Sequence, residues 1–422
     1  MRKLFAIVAL FAAFCVACNN EPTPTPSNVG KVTIESEQFI DFDTYGGNGE
    51  IIFSYDGESL DDVKVKCDAA WVENLAIGET ITFSVGYNNT SDIRSAWVVV
   101  SAGSQSETVV VTQQKGGAID VELQAAYLNG TYYGRDGGTA GYNYYAIISD
   151  VPTPYASAAP SNGVQYRLDL YSDVFGGFGK AAVPEGVYKY DGGDNYEPGS
   201  FADKYSSYVT TLYDFQEIRI VQGCVYVREN SIEAYLKLQN NEIHHIVYTG
   251  SLELGYPGVD VPPFSLLQED FSFDYDLATS DIRAMYFGDR YGIGNDNWTL
   301  EMIEVKSTYS GDYFILNLLL PLGEADPKSV VGEYKLWSKD LESYDYTFIP
   351  GTLVEGAPKY SWYMTCTSGA IDGQNGGPLM DGTIVVKQMG AEYQVIFDCI
   401  DDKGNKIQGS FKSPMNEFYD RT

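Results

Sequence analysis
From about Tyr133 onward the chain is written twice, and that repetition constrains the fold more than any other feature of its 422 residues. Tyr133-Gly134 followed by Asn143-Tyr144-Tyr145-Ala146-Ile147-Ile148 lines up with Tyr291-Gly292 followed by Asn297-Trp298-Thr299-Leu300-Glu301-Met302. Tyr166-Arg167-Leu168-Asp169-Leu170 lines up with Tyr313-Phe314-Ile315-Leu316-Asn317, and Gly186-Val187-Tyr188-Lys189 with Gly332-Glu333-Tyr334-Lys335. Further on, Pro198-Gly199-Ser200-Phe201 matches Pro350-Gly351-Thr352-Leu353, Ser207-Tyr208 matches Ser361-Trp362, and Gly223 to Val227 matches Gly382 to Val386. Tyr235 with Tyr393, and Gly250-Ser251-Leu252 with Gly409-Ser410-Phe411, complete the series. Each unit is roughly 130 to 150 residues, enough for its own core.

Period-2 alternation of apolar and polar residues makes each unit a set of about seven or eight strands. Glu217 to Ile220 alternates in this way, with Val225-Tyr226-Val227 expected after a turn at Gln222-Gly223. Asp401-Asp402-Lys403-Gly404-Asn405 sits between two apolar runs and reads as a hairpin loop. Sequential hairpins favour an antiparallel meander, closed as a small barrel or folded as a sandwich, and periodicity does not choose between them.

Ahead of the repeats, short strands recur at sandwich spacing from about Val32 to Gln114. Here Asp68-Ala69-Ala70-Trp71-Val72, Tyr87-Asn88-Asn89-Thr90, Arg94 before Ala96-Trp97-Val98-Val99-Val100, and Val109-Val110-Val111-Thr112-Gln113 resemble a BACON domain. That family is the Bacteroidetes-associated carbohydrate-binding, often N-terminal domain. The resemblance implies an immunoglobulin-like sandwich and, more weakly, a carbohydrate role. A spacer role is weighted above a binding one.

The N-terminus is an address. Met1-Arg2-Lys3 precedes an apolar run from Leu4 to Ala17, too short to span a bilayer. Val16-Ala17-Cys18 resembles the lipobox of bacterial lipoproteins, with Cys15 departing from the usual leucine. The resemblance implies cleavage before Cys18, whose sulfur and amine then carry acyl chains. Pro22-Thr23-Pro24-Thr25-Pro26 would space the first domain from the membrane. The expected plan is a signal at 1–17, a linker at 18–30, a BACON-like domain at 31–115, and β-units at 120–256 and 265–422. The expected address is the outer membrane, at the cell surface or on the periplasmic face. The fold class is all-β: an immunoglobulin-like sandwich followed by two duplicated antiparallel β-sandwich or small-barrel domains.

Charge then narrows function. Of 27 basic residues Arg2 and Lys3 leave with the signal, so 25 face 58 acids, a net of −33. Such a field repels nucleic acid and anionic lipid surfaces. No GxSxG, HExxH or Cys-His spacing occurs. His244 and His245 are adjacent on a strand and point to opposite faces, so they are poorly placed to act together. Paired carboxylates could hydrolyse glycosides, but neither unit repeats matched acids. The oxygen-rich loops at Asp191–Asn195 and Asp289–Asp296 read as turns rather than calcium sites. Cys366 and Cys399 could pair, although buried thiols are the favoured reading. The chain is read as non-catalytic, with no metal and no cofactor.

Aromatics remain. Sugars stack flat C–H faces on rings while their hydroxyls need polar partners. Tyr144 in its Tyr/Asn run, Trp337 with Tyr344 and Tyr346, and Tyr360 with Trp362 ahead of a loop at Asp372–Gly377 supply both. Alternation places Tyr360, Trp362 and Met364 on one face. The second unit holds 50 positions from Gly332 to Gly382 where the first has 37 from Gly186 to Gly223, so the extra segment is the place to seek a site. The expected partners are a glycan, a lipid anchor and, further, an outer-membrane protein. The alternative is a structural or partner-binding surface lipoprotein whose first domain is only a spacer.

Overall fold
A computed structural model describes residues 30–135, 139–155, 158–193, 195–256, 259–276, 280–305, 311–367 and 370–422. The signal, Cys18 and most of the linker lie outside them. Among the described residues no helix is long and apolar enough to cross a membrane.

The first domain is a sandwich. Phe39–Phe42, Gln105–Gln113, Arg94–Ala102 and Val63–Lys66 form one sheet, and Gly47–Ile51, Ile81–Val85 and Val72–Ile77 form the other. Val98, Val100, Val109 and Val111 alternate inward and are fully buried between them. Each contributes about 1.5–3 kcal/mol. The residues that carry the family resemblance are tied into this frame. The Arg94 guanidinium lies 4.5 Å over the Trp71 ring and donates to Gln113 Oε1 and to the carbonyls of Gly86 and Tyr87. Buried Asn88 donates to the Asp92 and Gln114 carbonyls.

Both repeats close into barrels. In the first, Tyr142–Ser149 pairs antiparallel with Tyr127–Gly134 on one side and Val164–Ser172 on the other. Gln216–Arg228, Ser231–Leu238 and Ile243–Thr249 continue the meander. The last of these takes Val121–Ala125 as a parallel neighbour. Val121–Ala125 and Tyr127–Gly134 are one extended run broken at Ala126, whose N–H bonds the Ser149 carbonyl at 3.0 Å. The front half seals the barrel and the rear half begins it. In the second barrel Lys406–Asp420 is parallel to Phe271–Asp276 and Ser280–Tyr286, and Asn295–Val305 pairs with Gly311–Pro321 to complete the ring. Each barrel is filled by its own cluster of buried side chains. Gln222-Gly223, expected as a turn, is paired within one 13-residue strand, just after a bulge between Ile220 and Gln222.

Strand pairing tests the repeat residue by residue. Tyr144, Ala146 and Ile148 face Leu170, Leu168 and Tyr166; Trp298, Leu300 and Met302 face Leu318, Leu316 and Phe314. The counterpart of Tyr166 is therefore Phe314, not Tyr313, and that of Asp169 is Asn317. Likewise Ser206, not Ser207, matches Ser361: each hydroxyl accepts an N–H at 3.1 Å, from Asp169 and Asn317. A one-residue slip exchanges the inside and outside of a strand, so such near-matches in sequence carry the wrong face. Ser200-Phe201 pairs as Thr347-Phe348 does, Tyr133-Gly134 corresponds to Phe287-Gly288, Tyr235 to Asp398, and Gly409 to Ile246. Pro-Gly and lone Tyr or Gly matches recur by turn chemistry alone. Three blocks align as read: Asn143–Ile148 with Asn297–Met302, and the two that begin at Gly186 and Gly332 and at Gly223 and Gly382. Tyr188 and Tyr334 donate to Pro184 and Val330 carbonyls, both at 2.8 Å. Gly223 and Gly382 hold the same register, and a Cβ at Gly382 (φ +111°) would lie 2.0 Å from the Asp398 carbonyl oxygen.

The sandwich is docked on the first barrel. The Tyr226 hydroxyl lies 2.9 and 3.1 Å from the Tyr45 and Val85 carbonyls, and the Tyr235 ring stacks between Tyr87 and His245. Beneath it Glu233 accepts from Tyr235 at 2.9 Å and meets His245 and Arg228 at 3.1 and 3.0 Å. The His245 bond first, then Tyr235 and Arg228, hold its carboxyl down to about 2 against an ordinary 4.5. A depressed carboxyl stabilises above its unfolded value and loses that contribution as pH falls toward the folded one. Urea midpoints taken from pH 6 to pH 2.5 should therefore fall more steeply for the native chain than for Glu233→Gln below about pH 4.5. Parallel curves would remove Glu233 from this role.

Candidate functional site
The structure sorts the expected sugar-stacking residues by burial. Tyr144 is inside the first barrel with no exposed surface, its hydroxyl on the Val174 carbonyl at 2.7 Å. Trp362 is buried outside the second barrel's core, its Nε1 donating to the Thr352 and Lys359 carbonyls. Trp337 is 8 % exposed and packs between the barrels against Phe178 and Tyr344. These three have no ring face to offer a ligand, which corrects the expectation. Tyr344 is half-buried over Trp337, and Tyr346, 40 % exposed, leans on Tyr334. Tyr360 is half-buried at a groove. It lies before the strand Trp362–Thr367 at φ +67°, so alternation does not extend back to it. The loop expected at Asp372–Gly377 is strand, within Ala370–Pro378.

Other expectations resolve as structural features. His244 points inward and its Nδ1 hydrogen-bonds the Tyr166 hydroxyl at 2.7 Å, and burial pulls it below the ordinary imidazole range. Tyr166 and His244 occupy the positions of Phe314 and Ile407 in the second barrel, so a polar pair here replaces an apolar one there. Cys366 and Cys399 are buried and not disulfide-bonded, and burial pushes the Cys399 thiol up to about 12. Asp289 accepts from the N–H groups of Ile293 and Gly294, as a turn does. Asp401 does the same for the hairpin Asp401–Asn405. The Asp191 loop includes residue 194, outside the described residues.

The extra segment of the second unit makes a clasp. Thr352–Val354 and Ala357–Lys359 form a hairpin whose two loop residues, Glu355 (φ +52°) and Gly356 (φ +78°), give the left-handed turn that matches strand twist. Its tip is pinned to the first barrel. Glu355 accepts from Thr131 Oγ1 at 2.8 Å and the Tyr133 hydroxyl at 2.7 Å, and the Gly356 N–H donates to Asp260 at 3.2 Å. Burial and the Glu355 carboxylate push the Tyr133 hydroxyl well above the ordinary phenol range, which keeps it a donor.

Beside the clasp a groove of about 260 Å³ opens between the barrels. Its floor is the outward face of the second barrel, where Thr299 pairs between Met285 and Asn317, and Glu301 lies opposite Ile315. Thr299 donates to Asn317, whose amide donates to the Tyr360 carbonyl, so the floor is fixed. Tyr133, Phe287, Tyr291 and Tyr360 supply rings around it, and Arg290, Glu301 and Lys359 supply charge. The Arg290 guanidinium lies 4.9 Å over the Phe287 ring. On the first barrel the corresponding face is closed: Ile147, counterpart of Glu301, is fully buried, and Tyr133 is taken by Glu355. Of these lining residues the sequence indicated only Tyr360. The rest come from distant strands that only barrel closure brings to one face.

No protein-family model matches the chain, and no curated protein matches it. Among solved structures, a Bacteroides ovatus GH5 xyloglucanase in complex with a XXXG heptasaccharide is 24 % identical over 22 % of this chain, with TM-score 0.18. The chain spans 21 % of that enzyme's length. The three immunoglobulin domains I67–I69 of titin are 7 % identical over 93 % of this chain and 99 % of theirs, TM-score 0.18. The N-terminal four immunoglobulin domains of Dscam1 isoform 7.44 are 11 % identical over 93 % and 100 %, TM-score 0.16. The chain is an all-β protein, an immunoglobulin-like sandwich followed by two duplicated barrels.

Proposed function
We propose that this chain is a non-catalytic lipoprotein of the outer membrane that captures carbohydrate in the groove between its barrels. The groove carries the reading. It combines rings with a carboxylate, cations and an amide, the mixture that a flat sugar face and its hydroxyls require. Hydrolysis of a glycoside needs two carboxylates across the bond, and Glu301 is the one carboxylate among the described lining residues. The clasp that shapes the groove is the segment by which the second unit exceeds the first. The BACON-like residues and the lipobox add a carbohydrate context and an anchor.

A glycan array probed with the soluble chain from Asn28 tests the reading. Tyr360→Ala, and separately Lys359→Ala at an exposed position, should each weaken the bound glycan about tenfold or more, about 1.4 kcal/mol. Full binding by both variants counts against the groove. For the anchor, cells fed labelled palmitate should mark the native chain and leave Cys18→Ser unlabelled; labelled Cys18→Ser would refute it.

One observation favours the alternative, a partner-binding protein with its first domain as spacer. Between the strands Ser207–Thr210 and Gln216–Arg228, Tyr213 is 97 % exposed and Phe215 61 %. Capture of an outer-membrane protein that Tyr213→Ala abolishes, together with a negative array, would establish that reading.

A further inference from the structure
A second cleft, about 740 Å³, lies between the sandwich and the first barrel. One wall is the outward face of the three-stranded sheet. Pairing sets Asn48 opposite Ser84 and Glu50 opposite Thr82, all polar. Glu185 and Arg228 approach from the barrel side. The walls are held in place from both sides. Tyr226 bridges to the Tyr45 and Val85 carbonyls, and Arg228 meets Glu73 at 3.3 Å. Lys189 meets Asp43 at 2.7 Å.

The lining is also oriented. Register shifts between Glu73 and Ala76, and at this bulge Asn74 stands at φ +55°. A left-handed non-glycine residue costs about 1–3 kcal/mol and persists only where its surroundings hold it. Asn74 donates its amide to Ser84 Oγ at 2.9 Å, and buried Ser84 donates on to the Glu73 carbonyl at 3.4 Å. Among the described residues the side chains of Asn48, Glu50, Thr82 and Glu185 make no hydrogen bond or ion pair, so their polar atoms are open to the cleft.

We infer that this cleft is a second ligand site, for a neutral, hydroxyl-rich oligosaccharide. The inference rests on the carbohydrate reading above and removes the first domain from the role of mere spacer. Amides and hydroxyls match vicinal diols by donating and accepting together. Arg228 is engaged by Glu73 and Glu233, which leaves Glu50 and Glu185 to repel carboxylated or sulfated sugars. The volume lies within the range of ligand sites, about 300–1,000 Å³.

Calorimetric titration of the full soluble chain decides it. The probes are neutral β-glucan, xylan and mannan tetrasaccharides, with oligogalacturonate as the acidic counterpart. For at least one neutral probe the expected result is two sites per chain. Asn48→Ala with Glu185→Ala, exposed and unbonded positions, should remove one site, and Tyr360→Ala the other. Oligogalacturonate should bind the cleft at least tenfold more weakly. One site per chain, lost in Tyr360→Ala and untouched by the cleft changes, overturns the second site and leaves the groove standing. Oligogalacturonate binding at the cleft as tightly as the neutral probes overturns its ligand class. No binding of any saccharide overturns the carbohydrate reading and this inference with it.

Discussion

Trp337→Ala should uncouple the two barrels. The indole is buried at their junction, with ring centroids of Phe178 at 4.8 Å, Tyr344 at 5.6 Å and Phe175 at 6.3 Å. Phe178 in turn reaches Tyr291 and Tyr360 at 4.8 and 5.3 Å. Two barrels that share such a cluster unfold together only while it is intact. Truncating a buried Trp costs about 3–5 kcal/mol. Calorimetry should show one transition in the native chain becoming two in the variant. Trp337→Phe should cost less, because Nε1 of Trp337 is buried with no hydrogen-bond partner among the described residues and its removal relieves an unmet donor. A single, unshifted transition in Trp337→Ala would show that the cluster couples nothing.

Phe314→Ala should strike the second barrel, and that barrel alone once Trp337→Ala has uncoupled the two. Phe314 is fully buried at the centre of an aromatic core, with Phe273 at 4.6 Å and Tyr363 and Phe397 both at 5.1 Å. The expected loss is again about 3–5 kcal/mol, as these three packed rings cannot collapse into the cavity without leaving rotamer minima. In the Trp337→Ala background, where the barrels are uncoupled, hydrogen exchange read by mass spectrometry should show lost protection across Asn295–Val305 and Gly311–Pro321, with the first barrel's strands unchanged. Loss shared equally by both barrels in that background would mean that contacts other than the Trp337 cluster hold them as one cooperative unit. The first barrel's counterpart is Tyr166, whose hydroxyl binds His244. Its truncation would also leave Nδ1 of a buried imidazole without its partner, so the duplicated position is not energetically duplicated.

The Tyr188/Tyr334 and Asn143/Asn297 blocks were legible because a strand residue and its neighbours are close in sequence as well as in space. The Tyr166 and Ser207 blocks were misaligned by one. Aromatic and hydroxyl residues occur on both faces of these strands, and identity alone does not say which face is inward. For the site, the sequence pointed to the extra segment between Gly332 and Gly382, which does build the clasp. It also ranked Trp337, Trp362 and Tyr144 as ligand-facing, and burial took all three. A large ring satisfies a core and a sugar equally well, so composition cannot separate the two uses.

What the sequence determined by itself was local: period-2 alternation, turn residues and a repeated order of blocks, which together demand antiparallel strands in two like units behind a sandwich. These follow from steric and hydrophobic preferences acting within a few residues. The tertiary structure alone decided that each unit closes: in the first, a break at Ala126 lets one extended run pair with both ends of the meander, and in the second, Ser280–Tyr286 joins Lys406–Asp420 to Asn295–Val305. It also decided which unit keeps an open face. Glu355 folds back onto Tyr133 of the first barrel and leaves Thr299, Glu301 and Tyr360 of the second around a groove. That outcome rests on contacts more than 200 positions apart in the chain (Glu355 and Tyr133 are separated by 222), beyond the reach of any local pattern.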